Sequence, residues 1–527
     1  MASTNPRVSF FAAQALGRIR TEKAIPSLLK LIETNADKDL YLRHAAVLAL
    51  SRIGQAEPML VLQNSPNRSL RIAAVLVLRR LAHPGIAGFL QDSDEYIVAE
   101  AARAINDDES IPAALPALAA TLADTRFTSE VIVRRAINAC LRVGSAKEID
   151  LLIAYAERTG ISEVLRAEAI ATLGSWANPS VMDRVDGRHR GVLERNPADV
   201  IARIQPKIPG FFASENPDVL IATAKLVAEL QLKAFTDIEI NLFKNHTNAK
   251  VRAALLSSLA ELQTPQLGTI LEKGISDEDK NVRGIALSNL NKIELSASEL
   301  PAITKPIFEK GSLTEQQFLL QSMAKMKPAN TSAIFADLIQ KMVDNQLPTG
   351  IKLDLMEAVE ASNEEKLVAK LDALKVKGTL TDEFKEALYG GSVTEGRNIF
   401  NYNSTVQCVR CHIVGGEGTT VGPNLKGVAS RLTREQLLQA LIEPSARISP
   451  GYGTTNLVLT DGQEVSGSII SETDDLVQLK TNDAEPLRIP VTRIKSRENL
   501  PSGMPPMGSL MSKREIRDVV EYLSSLK

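Results

Sequence analysis

The sequence predicts a mainly α chain of two parts. An array of repeated helix pairs and linker helices spans residues 1–388, and a smaller α-helical domain spans 389–527, with a β-rich insertion at about 453–498. Three observations predict it. An apolar pattern of helical period recurs along the first two thirds, short alternating runs appear only between 453 and 498, and "QCVRCHIV", Gln407 to Val414, concentrates cysteine and histidine in one octapeptide.

The array is read from self-similarity: "NPRVSFFAAQALGRI", "KDLYLRHAAVLALSRIG", "NRSLRIAAVLVLRRLA", "SEVIVRRAINACLRVG", "SEVLRAEAIATLGSWA", "NAKVRAALLSSLAELQ" and "DKNVRGIALSNLNKI". Each has a polar cap, an apolar–Arg pair, then Ala and Leu at helical spacing. Copies recur at about 27–36 residues, room for two short antiparallel helices, with a wider gap around "DRVDGRHRGVLERNP". The array resembles the HEAT-repeat family, in which the second helix of each pair lines one face. Ala45, Ala46, Ala73, Ala74, Ala253 and Ala254 are expected to let helices approach closely. Arg43, Arg71, Arg134, Arg166, Arg252 and Arg283 are expected to bond loop carbonyls or carboxylates. The first helix begins by about residue 5 with no capping element before it, so the array is expected to continue upstream of Met1.

Nothing in the array assembles a catalytic constellation: H-E-x-x-H, a Walker loop and G-x-S-x-G are all absent. His44, His83, His189 and His246 are scattered and read as packed or solvated residues. Cys140 sits at an apolar helical position and reads as core. "DGRHRG" reads as a solvated loop rather than an anion site. "DSDEY" lacks the glycine and closing glutamate of a calcium loop.

With 61 Lys and Arg against 63 Asp and Glu, the net charge of -2 gives no basic field for nucleic acid or an anionic membrane. No apolar run is long enough to span a bilayer.

Cys408-Val409-Arg410-Cys411-His412 admits three readings. A zinc site needs about four ligands, and no second cysteine pair or histidine lies nearby. A redox dithiol needs a preceding strand and a βαβ frame, whereas "EGRNIFNYN" precedes this one. Covalent haem accounts for every residue: Cys408 and Cys411 form thioethers to the two vinyl groups, and His412 falls beneath the iron as axial ligand.

Downstream, "VGPNLKGVASR" resembles the corresponding segment of a class I cytochrome c. That resemblance implies Pro423 as the carbonyl partner of His412, with Gly422, Asn424, Leu425 and Gly427 shaping the haem crevice. It also implies crossed first and last helices, for which Gly396 and Phe400 on one side and Val519, Tyr522 and Leu523 on the other are suited.

"SGMPPMGSLMS" supplies three thioethers for the sixth position. Ser512 and Glu515 form a capping box, which makes Met511 a hydrophobic staple against Ile516. Met504, held beside Pro505-Pro506, is favoured as ligand, with Met507 the alternative. Between histidine and methionines, about five short strands are expected, forming a small sheet or barrel with a hairpin at Asp461-Gly462. Leu457/Leu459, Val477/Leu479 and Leu487/Ile489 should form its inner face.

Taken together, the repeats, C-x-x-C-H, "LTREQLLQALIEPSARISPGY", the β insertion and "MSKREIRDVVEYLSSLK" resemble a haem-binding-domain type described in Planctomycetes, Verrucomicrobia and Bacteroidetes. The resemblance is strong over about 385–527 and loose over the repeats. It implies an electron-transfer protein with one haem c, rather than an enzyme by itself, accepting electrons from a dehydrogenase domain or redox partner protein. The alternatives are a haem enzyme or sensor with an open distal site, for which no distal His or Arg pair is recognisable, and an interaction scaffold with structural haem. Haem c implies a periplasmic or extracytoplasmic location. The start "MASTNPRVSFFAAQALGRIR" carries no export signal, which conflicts with that location unless the chain is a fragment.

Overall fold

The computed structural model describes residues 5–375, 378–416, 418–483 and 485–527, so Met1 and any continuation before it lie outside the described residues. The chain packs as two compact units, residues 1–285 and 286–527.

In the first unit the repeats fold as successive helices, a mainly α solenoid. Pro6–Ile19 is capped by the Asn5 side chain, Leu40–Ile53 by Asp39, Arg68–Arg80 by Asn67 and Ala249–Leu262 by Asn248. These four polar caps each accept from an otherwise orphaned amide of the first turn, whereas Ser129 and Ser162, at the same place in their repeats, make no side-chain cap hydrogen bond. Ala45, Ala46, Ala73 and Ala74 are buried as expected. Gly17 shows how close the helices come: a Cβ there would lie 2.6 Å from the Ala49 Cα. Ala253 and Ala254, in contrast, are only half-buried, and that helix packs through Val251, Leu255, Leu256 and Leu259.

The repeated arginines bond carbonyls and carboxylates as predicted, mostly in loops but in the case of Arg134 on a neighbouring helix. Arg71 reaches Asp92 at 2.8 Å and the Ser65 carbonyl at 2.8 Å, and Arg252 holds Asp277 at 2.8 Å with the His246 and Thr247 carbonyls. Arg43 pairs with Asp37, Arg134 with Glu168, Arg166 donates to the Ala156 carbonyl, and Arg283 to the Asp277 and Glu278 carbonyls. The wider gap is filled by a loop whose basic residues are consumed internally. Arg190 binds Asp183, Asp186 and two backbone carbonyls, and Arg188 binds Asp108 and Glu109. The two aspartates of "DSDEY" are likewise spent, Asp92 on Arg71 and Asp94 on Arg68. Cys140 is fully buried, and burial pushes its thiol far up.

The second unit contains further repeat-like helices, among them Leu313–Met323 and Lys352–Ser362, and the C-terminal domain. In that domain Val393–Tyr402 crosses the last helix, Lys513–Ser525, and Arg434–Ile442 packs on the same core. The insertion is a five-stranded antiparallel sheet: β1 (Thr455–Leu459), β2 (Glu464–Glu472), β3 (Leu476–Lys480), β4 (Leu487–Pro490) and β5 (Ile494–Asn499), in the order β4-β3-β2-β1-β5. The hairpin between β1 and β2 turns at Gly462, whose φ of +87° suits glycine. Leu457, Leu459, Val477, Leu479 and Ile489 form a small core of their own. Leu487 departs from the expected inner face and is 37% exposed, because it lies at the start of a short edge strand. Among the described residues no helix is long and apolar enough to cross a membrane.

Candidate functional site

The C-x-x-C-H segment leaves the helix Val393–Tyr402 through a left-handed residue, Gln407 (φ +40°), and forms a single 3-10 turn, Cys408–Arg410. The amides of Cys411 and His412 both donate to the Cys408 carbonyl, at 3.0 and 2.9 Å. That turn brings the two cysteines and the histidine onto one tight bend. Both thiols are free; Cys408 is half-buried and Cys411 exposed. Burial pushes the Cys408 thiol up to about 11, which leaves little of the thiolate that redox exchange requires.

His412 is half-buried, and its Nδ1 lies 2.9 Å from the Pro423 carbonyl oxygen. A carbonyl only accepts, so the bond requires Nδ1–H and leaves a lone pair on Nε2. The loop between them is tied by Gly422 N–H to the Cys411 carbonyl (2.6 Å) and Leu425 N–H to the Ile413 carbonyl (3.0 Å). Gly422 itself backs the imidazole, since a Cβ there would sit 2.7 Å from the ring Cε1. Asn424 Oδ1 accepts from the Lys426 amide at 2.9 Å, and Leu425 packs on the domain core.

The helix crossing behind the site rests on Gly396, where a Cβ would fall 1.9 Å from the Asp518 carbonyl oxygen. Phe400 and Tyr522 meet with ring centroids 5.6 Å apart, and Val519 and Leu523 are buried beside them. Ser512 and Glu515 form the capping box, with Ser512 N–H donating to Glu515 at 2.8 Å, and Met511 and Ile516 are both buried.

The methionines divide by burial. Met507 (4% exposed) and Met511 (6%) belong to the apolar core, whereas Met504 is half-buried and packs against that core alongside Cys408, Val409 and Leu425. The motif turn thus carries two free thiols and one imidazole, and Met504 is the half-buried thioether packed on the same core as Cys408. Among the described residues, no three His, Cys, Asp or Glu side chains assemble as a metal-binding group.

Several supporting residues escape sequence reasoning. Arg517 donates to the buried Asp354 at 2.7 Å, Arg514 Nη2 lies 3.0 Å from the other Asp354 oxygen as a charge contact, and Arg514 also pairs with Glu357. Arg434 pairs with Glu521 at 2.8 Å and lies over the Tyr389 ring. The i, i+3 spacing of Arg514 and Arg517 puts both on one helix face, a visible signal, but nothing local points to Asp354 as their partner.

Residues 1–79 match the HEAT-repeat family. The chain therefore has an N-terminal HEAT-repeat region. No curated protein sequence matches the chain. Among solved structures it is similar to Kap121p bound to Pho4p at 12% identity and a TM-score of 0.43, covering 73% of this chain and 52% of that one. It is similar to importin beta at 13% identity and 0.41, covering 83% and 73%. The CpcE and CpcF complex of phycocyanin lyase from Nostoc sp. PCC7120 follows at 18% identity and 0.25, covering 51% and 94%.

Proposed function

We propose that the C-terminal domain carries one covalent haem c and works as an electron-transfer module beside the HEAT repeats. The observation that carries this reading is the hydrogen bond from His412 Nδ1 to the Pro423 carbonyl, 2.9 Å long, directly after two free cysteines. It sets the tautomer that would offer Nε2 to iron and fixes the orientation of the ring. The remaining donors fit the same group: Cys408 and Cys411 would anchor it and Met504 would supply the thioether ligand, since Met507 and Met511 are buried in the core.

Haem, when bound, supplies one-electron chemistry between Fe(III) and Fe(II). The chain's own residues do the rest. The Cys408 and Cys411 thiols would hold the group covalently, their S–H bonds adding across its two vinyl groups with no oxidant consumed. His412 is held in register by Pro423 and Gly422. The soft thioether of Met504 would favour the reduced state and so raise the potential. The partner on this reading is a dehydrogenase or other redox protein, the HEAT repeats supply surface to hold it, and the location is extracytoplasmic.

The test is a pyridine haemochrome spectrum of the denatured chain after acid-acetone extraction. A spectrum of the thioether-linked type retained in the protein is expected; haem that extracts fully, or no haem in chain matured with a haem-attachment system, overturns the proposal.

A further inference from the structure

We infer that Ser445 and Ser502 are positioning residues that hold Met504 at the haem through two hydroxyls in series. The inference rests on Met504 being the distal ligand. β5 ends at Asn499, and the chain reaches the buried anchor Met507 through Leu500–Pro506. Leu500 N–H donates to the Thr454 carbonyl at 2.9 Å, which closes the neck of the β insertion. Ser502 N–H then donates to Ser445 Oγ at 3.1 Å, and Met504 N–H donates to Ser502 Oγ at 3.1 Å. Pro505 and Pro506 have no amide hydrogen and Gly503 has no side chain, so the tie on Met504 falls on its own N–H.

Ser445 is a fixed point for this relay. It follows the helix Arg434–Ile442, whose Leu437, Leu438, Leu441 and Ile442 are buried in the domain core. Glu443, two residues earlier, accepts from the Thr381 amide at 3.1 Å and from the Thr381 hydroxyl, and Ala446 N–H closes the turn on the Glu443 carbonyl at 2.8 Å. Removing either hydroxyl frees a glycine-containing loop while leaving the core and the Cys408–His412 turn intact.

The experiment follows the weak near-infrared Fe(III)–S(Met) band of the full-length holoprotein as pH is raised, in wild type, Ser445→Ala, Ser502→Ala, Ser502→Thr and Ser466→Ala. One hydrogen bond of ordinary strength corresponds to a roughly 3- to 10-fold weaker hold on the ligand, so the two Ala variants should lose the band about half to one pH unit earlier. Ser502→Thr, which keeps the hydroxyl, and Ser466→Ala, on β2, should follow wild type. Ala variants that lose the band at the wild-type pH overturn the inference and leave the proposed function standing. A wild-type holoprotein without the band overturns the assignment of Met504, and the inference with it. Where a variant takes up no haem, amide exchange at Met504 in the apo chain reads the same tie: faster than wild type supports it, unchanged exchange overturns it.

Discussion

His412 has one choice of tautomer, because the Pro423 oxygen facing Nδ1 cannot donate. The methionines separate as sharply. Met504→Ala should abolish the near-infrared Fe(III)–S(Met) band of the holoprotein at little cost in stability. Met507→Ala should keep the band and cost about 2–5 kcal/mol in urea unfolding, the range for emptying a buried Met site. A third residue, Glu239, gives the solenoid a pH dependence. Burial pushes its carboxyl up to about 8, the neighbouring Ser258 hydroxyl offsetting this only in part, and among the described residues neither carboxylate oxygen has a well-formed hydrogen bond. The unfolded carboxyl titrates at its ordinary value of 4.5, so between there and about 8 only the folded chain holds the proton. Stability therefore falls as pH rises through that window and levels off above it. Glu239→Gln should be more stable than wild type at pH 8, by roughly 2–4 kcal/mol, and the difference should vanish near pH 4, as read by urea melts at each pH.

At the scale of elements, the closing helix Lys513–Ser525 is the joint of the second unit. Its capping box fixes where it starts, Gly396 lets it lie against Val393–Tyr402, and Arg517 ties it to Asp354 on Lys352–Ser362. Asp354→Ala should lower the stability of this unit by about 3–5 kcal/mol, since it strands a buried guanidinium. The double replacement Asp354→Leu with Arg517→Met should recover most of that loss in the same denaturation assay, because it removes both charges together. The capping box and the glycine crossing were legible in the sequence because each is local: S-x-x-E is a four-residue signal, and Gly396 with Phe400 is one helical turn. The Asp354–Arg517 pair was not, because its members are 163 residues apart and "KLDLMEAVEAS" reads as any amphipathic helix. Leu487 failed for a related reason. Alternation gives its parity along the strand, whereas its exposure depends on lying at the sheet's edge.

At the scale of the molecule, the repeats were legible because each copy restates the same cap, arginine and alanine, while the packing boundary at 285/286 had no such mark. That boundary leads to a prediction. A fragment of residues 286–527 retains Asp354, Glu357 and the Gln317 bonds to the Gly350 and Gly390 carbonyls, and should unfold in one cooperative urea transition. Residues 389–527 alone lose those partners and should unfold at distinctly lower urea. Equal midpoints for the two fragments would show that these ties contribute nothing.

The closed neck of the β insertion has a bearing on chain entropy. His412 and Met504 stand far apart along the chain, and bringing such distant residues together costs more conformational freedom the longer the intervening segment. Once the sheet forms and Leu500 bonds Thr454, the insertion no longer counts as slack, and the effective loop shrinks to about half. Each halving is worth only about 0.6 kcal/mol, so the detour through five strands adds almost nothing to the cost of bringing the two proposed ligands together. A module whose ends already touch can be carried inside a domain without lengthening, in any thermodynamic sense, the path between the residues on either side of it.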